Sequence, residues 1–211
     1  KKAPAVSLQG CFSSLRATLA SHWHDVDLKN AQARILVQKL RQGALLPEAA
    51  IAPLVDYVGH RDAWLAEIAA WNLRGDLDEA EQRERAKTLV TAILNGGGGR
   101  KWLATEATSN THAMPQCVRE LAGCMREVRA AVVGCAEHAE IVAWVRGGKG
   151  RGVGAPVPEP CFSDEAAIVR SAFALISHAW EDEVLSALDA SLRAQGWRVA
   201  SLIFDGVLLV D

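Results

Sequence analysis

Asp25 and Asp27 stand two residues apart in Ser21-His22-Trp23-His24-Asp25-Val26-Asp27-Leu28, a stretch with an alternating pattern. Period two predicts a strand and puts Trp23, Asp25 and Asp27 on one of its faces. A third aspartate, Asp205, lies near the end of the chain in Leu202-Ile203-Phe204-Asp205-Gly206-Val207-Leu208-Leu209-Val210. Apolar runs on both sides of Asp-Gly predict two buried strands joined by a tight hairpin, because this pair tolerates the positive φ angles of primed turns. A carboxylate held between buried strands costs desolvation energy unless a cation meets it. Asp205 is therefore either a turn former facing water or a metal ligand.

Cations gather between these aspartates. Residues 1–82 carry 9 basic and 10 acidic side chains, residues 83–151 carry 11 and 6, and residues 152–211 carry 3 and 9. A basic middle between acidic flanks suits a phosphate-handling segment beside a cation site, and it also suits solvated helix faces of uneven charge. Within the basic segment, a helix over about 77–95 is expected, with Asp76 as N-cap and Glu79 three residues on. Its apolar stripe is Ala86, Leu89, Val90 and Ile93, while Arg83, Lys87 and Thr91 share another face. It runs into Asn95-Gly96-Gly97-Gly98-Gly99-Arg100-Lys101. That glycine run lacks the GxxxxGK[ST] spacing of a nucleoside-triphosphatase loop, so by itself it reads as a flexible joint before it reads as a phosphate cradle.

The elements that would hold these residues are mainly helices. Asn30 is placed to cap a helix with Ile35, Leu36 and Leu40 inward, ending at Gly43. Trp64, Ile68 and Trp71 form a core stripe in a helix over 53–74. Pro115 opens a helical region to about Arg146, broken at Gly134, with Val118, Leu121, Met125, Val128 and Val132 inward. Gly147 to Pro160 reads as a connector. Ser163 caps a long helix with Ile168, Ala172, Leu175, Ala179, Val184, Leu188 and Leu192 inward, and Gly196 stops it.

Half of the 211 residues are hydrophobic, enough for one domain or two packed lobes. No run approaches a membrane span, so no membrane partner is expected. Five scattered cysteines without a CxxC pair argue for an intracellular, reducing compartment. Cys117, Cys124 and His138 have a spacing that a helix explains more simply than zinc does. The chain starts without Met and stops at Asp211 beside a strand, as a piece of a longer chain with further domains would.

Asp27, Arg83, Lys87, Asn95-Gly96 and Asp205 occur in the order of motifs A, B and C of family A DNA polymerases and single-subunit phage-type polymerases, which the chain resembles. Arg83-x3-Lys87-x7-Asn95-Gly96 keeps every spacing of that family's Arg-x3-Lys-x7-Tyr-Gly helix. Asp27-Leu28-Lys29-Asn30-Ala31-Gln32-Ala33-Arg34 can be laid on its motif A. Asp25-Val26-Asp27-Leu28-Lys29-Asn30 is similar to the Asp-x-Asp-x-x-Asn signature of a divergent primase-polymerase-like branch of mobile elements or large viruses. Phe204-Asp205-Gly206 stands at motif C. The resemblance covers about residues 20–211, as sparse motifs.

The resemblance implies an α+β fold: a small antiparallel palm sheet packed by helices, with a helical fingers insertion. Residues 1–75 would form the first palm part with motif A, 76–160 the fingers-like insertion with motif B, and 161–211 the return to the palm with motif C. It implies template-directed nucleotidyl transfer on a nucleic acid template-primer, with nucleoside triphosphates as substrates. Two Mg2+ ions would be held by Asp27 and Asp205, with Asp25 in reserve, while Lys87 serves catalysis and Arg83 and Lys87 bind the triphosphate. Asn95, Gly96 and Gln32 would line the nucleotide site, with Asn95 and Gln32 replacing the tyrosine and glutamate that exclude a 2′-hydroxyl. Gly206 replaces the second motif C acid and Phe204 its histidine. The alternatives are a catalytically inactive nucleic-acid-binding module and a haloacid-dehalogenase-like phosphatase fragment. The latter's Asp-x-Asp is missing at Asp205. His24-Asp25 resembles the His-Asp metal phosphohydrolases, without their further ligands at suitable spacing.

Overall fold

A computed structural model describes residues 23–71, 77–97, 102, 114–147, 164–203 and 206–210. The chain divides into two compact units, one of residues 1–32 and 178–211 and one of residues 33–177.

In the first unit, β1 (Trp23–Asp27), β2 (Arg198–Ile203) and β3 (Gly206–Val210) form one antiparallel sheet in the order β1-β3-β2. β3 is central. Trp23 lies opposite Val210 and Asp27 opposite Gly206. On the other side Ile203 lies opposite Gly206, and the β2 register shifts between Val199 and Ser201. The C-terminal part of the long helix α6 (Glu165–Ala194) belongs to this unit as well. Its Leu185 is buried with Val207 and Leu209, and Leu28, Leu188, Leu192 and Val199 pack around them. Helix α6 stops through Gly196, at φ 89. The Gly196 N–H donates to the Arg193 carbonyl and the Trp197 N–H to the Leu192 carbonyl, each at 3.0 Å. These paired bonds are a Schellman motif, which turns the chain straight into β2.

The second unit is helical. It holds most of α1 (Ala31–Gln42), then α2 (Glu48–Trp71), α3 (Glu79–Leu94), α4 (Gln116–Gly134), a 3-10 turn (Ala136–His138), α5 (Ala139–Arg146) and the first part of α6. Helices α2, α3 and α4 pack on one another. Ile51, Leu54, Leu65, Ile68, Leu89, Ile93, Leu121 and Met125 are fully buried. Their spacing of three and four residues puts one apolar stripe per helix into a shared core. Helix α2 loses helical geometry at His60 (φ −125, ψ 31). Asp56 bridges the kink: Oδ1 lies 2.9 Å from His60 Nδ1, and Oδ2 accepts from the Trp64 indole N–H at 2.7 Å.

Three expectations from the sequence are corrected. The fold class is mostly helical rather than α+β with a palm sheet: helices of 12, 24, 16, 19, 8 and 30 residues stand against strands of 5, 6 and 5. The sheet is a small element because three short strands exhaust the period-two sequence, and nearly every other apolar run has helical spacing. The α3 cap is Asp78, not Asp76. Asp78 accepts from the Glu81 N–H at 2.8 Å and Glu81 reaches back to the Asp78 N–H at 3.1 Å, because Asp-x-x-Glu occurs twice, two residues apart. Asn30 adopts φ 60, outside the extended region that a capping residue uses. The break after α4 does fall at Gly134, and Gly43 follows the end of α1. Ser163 lies outside the described residues, and Asp164 Oδ1 accepts from the Ala166 N–H at 2.9 Å at the start of α6.

The hydrogen bond from Trp64, and then the contact with His60, hold the Asp56 carboxyl below its ordinary 3.8. A depressed carboxylate pKa stabilises the fold fully above the unfolded value and is lost as pH falls through the folded one. Asp56→Ala is therefore expected to lower the melting temperature at pH 7, with a gap to wild type that narrows as both are acidified below pH 4. Thermal melts followed by circular dichroism read this directly, and a gap that widens in acid refutes the assignment.

Candidate functional site

In the first unit the backbone register brings the motif A-like strand to the motif C-like one. Asp27, Gly206 and Ile203 occupy neighbouring positions across β1, β3 and β2 at the same end of the sheet. Phe204 and Asp205, the two residues between Ile203 and Gly206, lie outside the described residues. Asp25 and Asp27 take the register positions of Leu208 and Gly206, alternating with those of the buried Val207 and Leu209.

The second unit holds the motif B-like helix. Arg83 and Lys87 lie one turn apart on α3, as their spacing predicts. Arg83 forms an ion pair with Asp62 of α2, and the Lys87 ammonium lies 3.5 Å from Glu84. Both side chains are more than two-fifths exposed, at 41% and 48%. Exposed pairs of this kind contribute at most about 1 kcal/mol, so neither cation is locked away. Gln32 is half-buried in the first turn of α1.

Asn95 is the C-cap of α3, and its N–H reaches the Thr91 carbonyl at 3.0 Å. Gly96 follows at φ 90. Its N–H donates to Ile93 at 3.0 Å and the Gly97 N–H to Ala92 at 2.7 Å, a second Schellman motif. This helix stop requires Gly96 whatever ligand the segment binds. A β-carbon there would lie 3.1 Å from Arg170 Cγ and 3.4 Å from Arg129 Cδ. The motif-based reading passed over both arginines, because only the fold brings residues 96, 129 and 170 together.

Of the rival sites from the sequence, Cys117, Cys124 and His138 do not come together as a metal site among the described residues. No group of three His, Cys, Asp or Glu side chains there could hold a metal. Cys117 donates to Glu67 at 3.4 Å. Burial, and then Glu67, push its thiol up to about 11, and burial raises Cys124. Thiols with raised pKa are poor nucleophiles and poor metal ligands. A groove of about 690 Å³ beside α4 and α5 is lined by Val133, Cys135, Ala139, Val142 and Val169, with Arg146 paired to Glu165 at its edge. It contains none of the aspartates or cations singled out from the sequence. Among the described residues no helix is long and apolar enough to cross a membrane.

Gly96→Ala is expected to destabilise the protein by about 1–2 kcal/mol from backbone strain alone, with a further loss because Arg129 and Arg170 must move. Gly196→Ala carries the backbone strain only, since nothing lies within 4 Å of a β-carbon there. Urea denaturation should rank Gly96→Ala as the more damaging change, and the opposite order contradicts the crowding at Gly96. Comparison with family models, with curated proteins and with solved structures finds no match for this chain.

Proposed function

We propose that the chain is a nucleotidyltransferase that extends a nucleic acid strand on a template, in the manner of the DNA polymerases its motifs resemble. The observation that supports this is the pairing of β1 with β3, two segments almost 180 residues apart in sequence. It puts Asp27 opposite the residue that follows Asp205. Phosphoryl transfer with two divalent ions needs two carboxylates from segments distant in sequence, and this pairing sets the sequence neighbour of Asp205 beside Asp27.

The donor set fits Mg2+, a hard cation that takes a few carboxylate oxygens and leaves positions for water and phosphate. Asp27 and Asp205 would hold the ions, with Asp25 in reserve, and when bound the ions supply charge for the attacking hydroxyl and the triphosphate. The strand's 3′ oxygen bonds to the α-phosphorus as the bond from that phosphorus to pyrophosphate breaks. Lys87 and Arg83 carry the positive charge that the resemblance assigns to the triphosphate. Their present partners, Glu84 and Asp62, are weak and exposed.

Primer extension with Mg2+ and the four deoxynucleoside triphosphates tests the reading. Asp27→Asn should abolish incorporation, and Lys87→Ala should lower it by about 10²–10³, both with unchanged circular dichroism and melting temperature. Incorporation by Asp27→Asn at the wild-type rate would falsify the proposal.

Asn95 and Gln32 add a second expectation. Both are amides that donate and accept hydrogen bonds, where the family has a tyrosine and a glutamate that reject a 2′-hydroxyl. Discrimination against ribonucleotides should therefore be weak. Single-nucleotide incorporation decides it: a deoxy preference of about a thousandfold, or roughly 4 kcal/mol, would mean that another residue guards the sugar.

A further inference from the structure

Two arginines from two helices close on the glycine turn that ends α3, and a third stands one turn before one of them. Arg126 and Arg129 stand at i and i+3 on α4, and Arg170 stands on the first half of α6. The stems of Arg129 and Arg170 lie against Gly96, close enough that even a methyl group there would crowd them. All three arginines, and the turn, belong to the helical unit of residues 33–177.

The helix terminus explains one of them. Arg129, half-buried, donates from Nη1 to the Ile93 carbonyl at 3.3 Å and so serves the negative end of α3. It does not explain the other two. Arg126 is exposed and makes no ion pair among the described residues. Among the described residues Arg170 has only Asp164, at a loose 3.7 Å. Glu165, the next acid along, is taken by Arg146. Burial, and then the charges of Arg126 and Arg170, pull the Arg129 guanidinium below its ordinary value, which marks the three as electrostatic neighbours. Like charges gathered on a half-buried member raise the energy of the fold unless an anion offsets them.

We propose that Arg129 and Arg170, set around the Gly96-Gly97 turn, together with Arg126 one turn before Arg129, bind a phosphate group. Guanidinium forks match phosphate oxygens in paired hydrogen bonds, which a lysine's single point charge does not. Glycine at position 96 leaves the arginine stems room beside the turn. The phosphate comes either from a nucleic acid strand or from a free nucleotide. The three arginines lie apart from Arg83 and Lys87 in sequence and are not part of the family-like motif, which the site meets only at Gly96. It rests on the nucleotidyltransferase reading only for the choice of probes.

The test is equilibrium binding without divalent ions, with three probes: a labelled oligothymidine of about 20 nucleotides, dATP, and inorganic phosphate. Wild type is compared with R126Q/R170Q, both at exposed positions, and with R126Q alone as the milder change. The double variant should weaken binding of at least one probe tenfold or more. For the oligonucleotide, the slope of log K against log salt should fall by roughly 1.4, at about 0.7 for each phosphate no longer neutralised. Weakening confined to the oligonucleotide assigns the site to a strand backbone, and weakening confined to dATP and phosphate assigns it to a free nucleotide. No binding of any probe by wild type, or equal binding by wild type and both variants, overturns the proposal. A protein that binds phosphate through these arginines but incorporates no nucleotide keeps this inference and loses the nucleotidyltransferase reading. A protein that incorporates nucleotides and is indifferent to the arginine changes does the reverse.

Discussion

The pairing of β1 with β3 is the constraint on which the first unit depends. A five-residue strand has no stability of its own, and the backbone N–H and C=O groups of Trp23–Asp27 need partners. They find them on Gly206–Val210, at the other end of the chain. The entropy of closing so long a loop grows only with the logarithm of its length, by about 0.6 kcal/mol per doubling. A separate helical unit of residues 33–177 can therefore be inserted in the sequence between the two strands at little cost to their pairing. That unit has its own buried stripes on α2, α3 and α4, and so an apolar core of its own.

Two helices of this chain stop by the same device. Gly96 and Gly196 both take positive φ, and in each case the two N–H groups that follow the last turn return to its carbonyls. The surroundings differ. At Gly196 nothing crowds the turn and the chain proceeds into β2, whereas at Gly96 the side chains of Arg129 and Arg170 close around it. A helix C-terminus attracts cations through its unpaired carbonyls, which is why Arg129 reaches Ile93. That attraction falls off within a turn, so it accounts for Arg129 and not for its neighbours.

Legibility in the sequence followed the range of the interactions. Strand β1, the antiparallel pairing of β2 with β3, the apolar stripe of α3 and the break at Gly134 all come from patterns a few residues long, and these are in place. Caps were harder, because competing signals overlap: Asp76 and Asp78 each precede a glutamate by three, and only the start of the helix at Glu79 decides between them. In α6 the expected stripe drifts, with Ala179 exposed and Trp180 buried, because one long helix serves two units and its inward face changes along its length. The balance of helix to strand was misjudged because the motif resemblance implied a sheet-based fold, while the period of most apolar runs is helical. The arginines at 126, 129 and 170 were out of reach, since no local pattern says that three distant segments will share a turn.

The motif B-like spacing shows how one pattern can have two physical causes. A helix that ends on a Schellman glycine places its C-cap just before that glycine, and side chains eight and twelve residues before the cap lie on one face of the same helix. Arg83, Lys87 and Asn95-Gly96 satisfy that rule with no reference to a nucleotide. The spacing alone therefore carries little weight for function. The state of the cations fits both causes, because a solvated helix face ordinarily carries arginine and lysine in weak, exposed pairs. Asp62 and Glu84 are exposed partners, and a bound polyphosphate offers each cation more charge at closer range than one solvated carboxylate does. The weight for function rests on the pairing of β1 with β3.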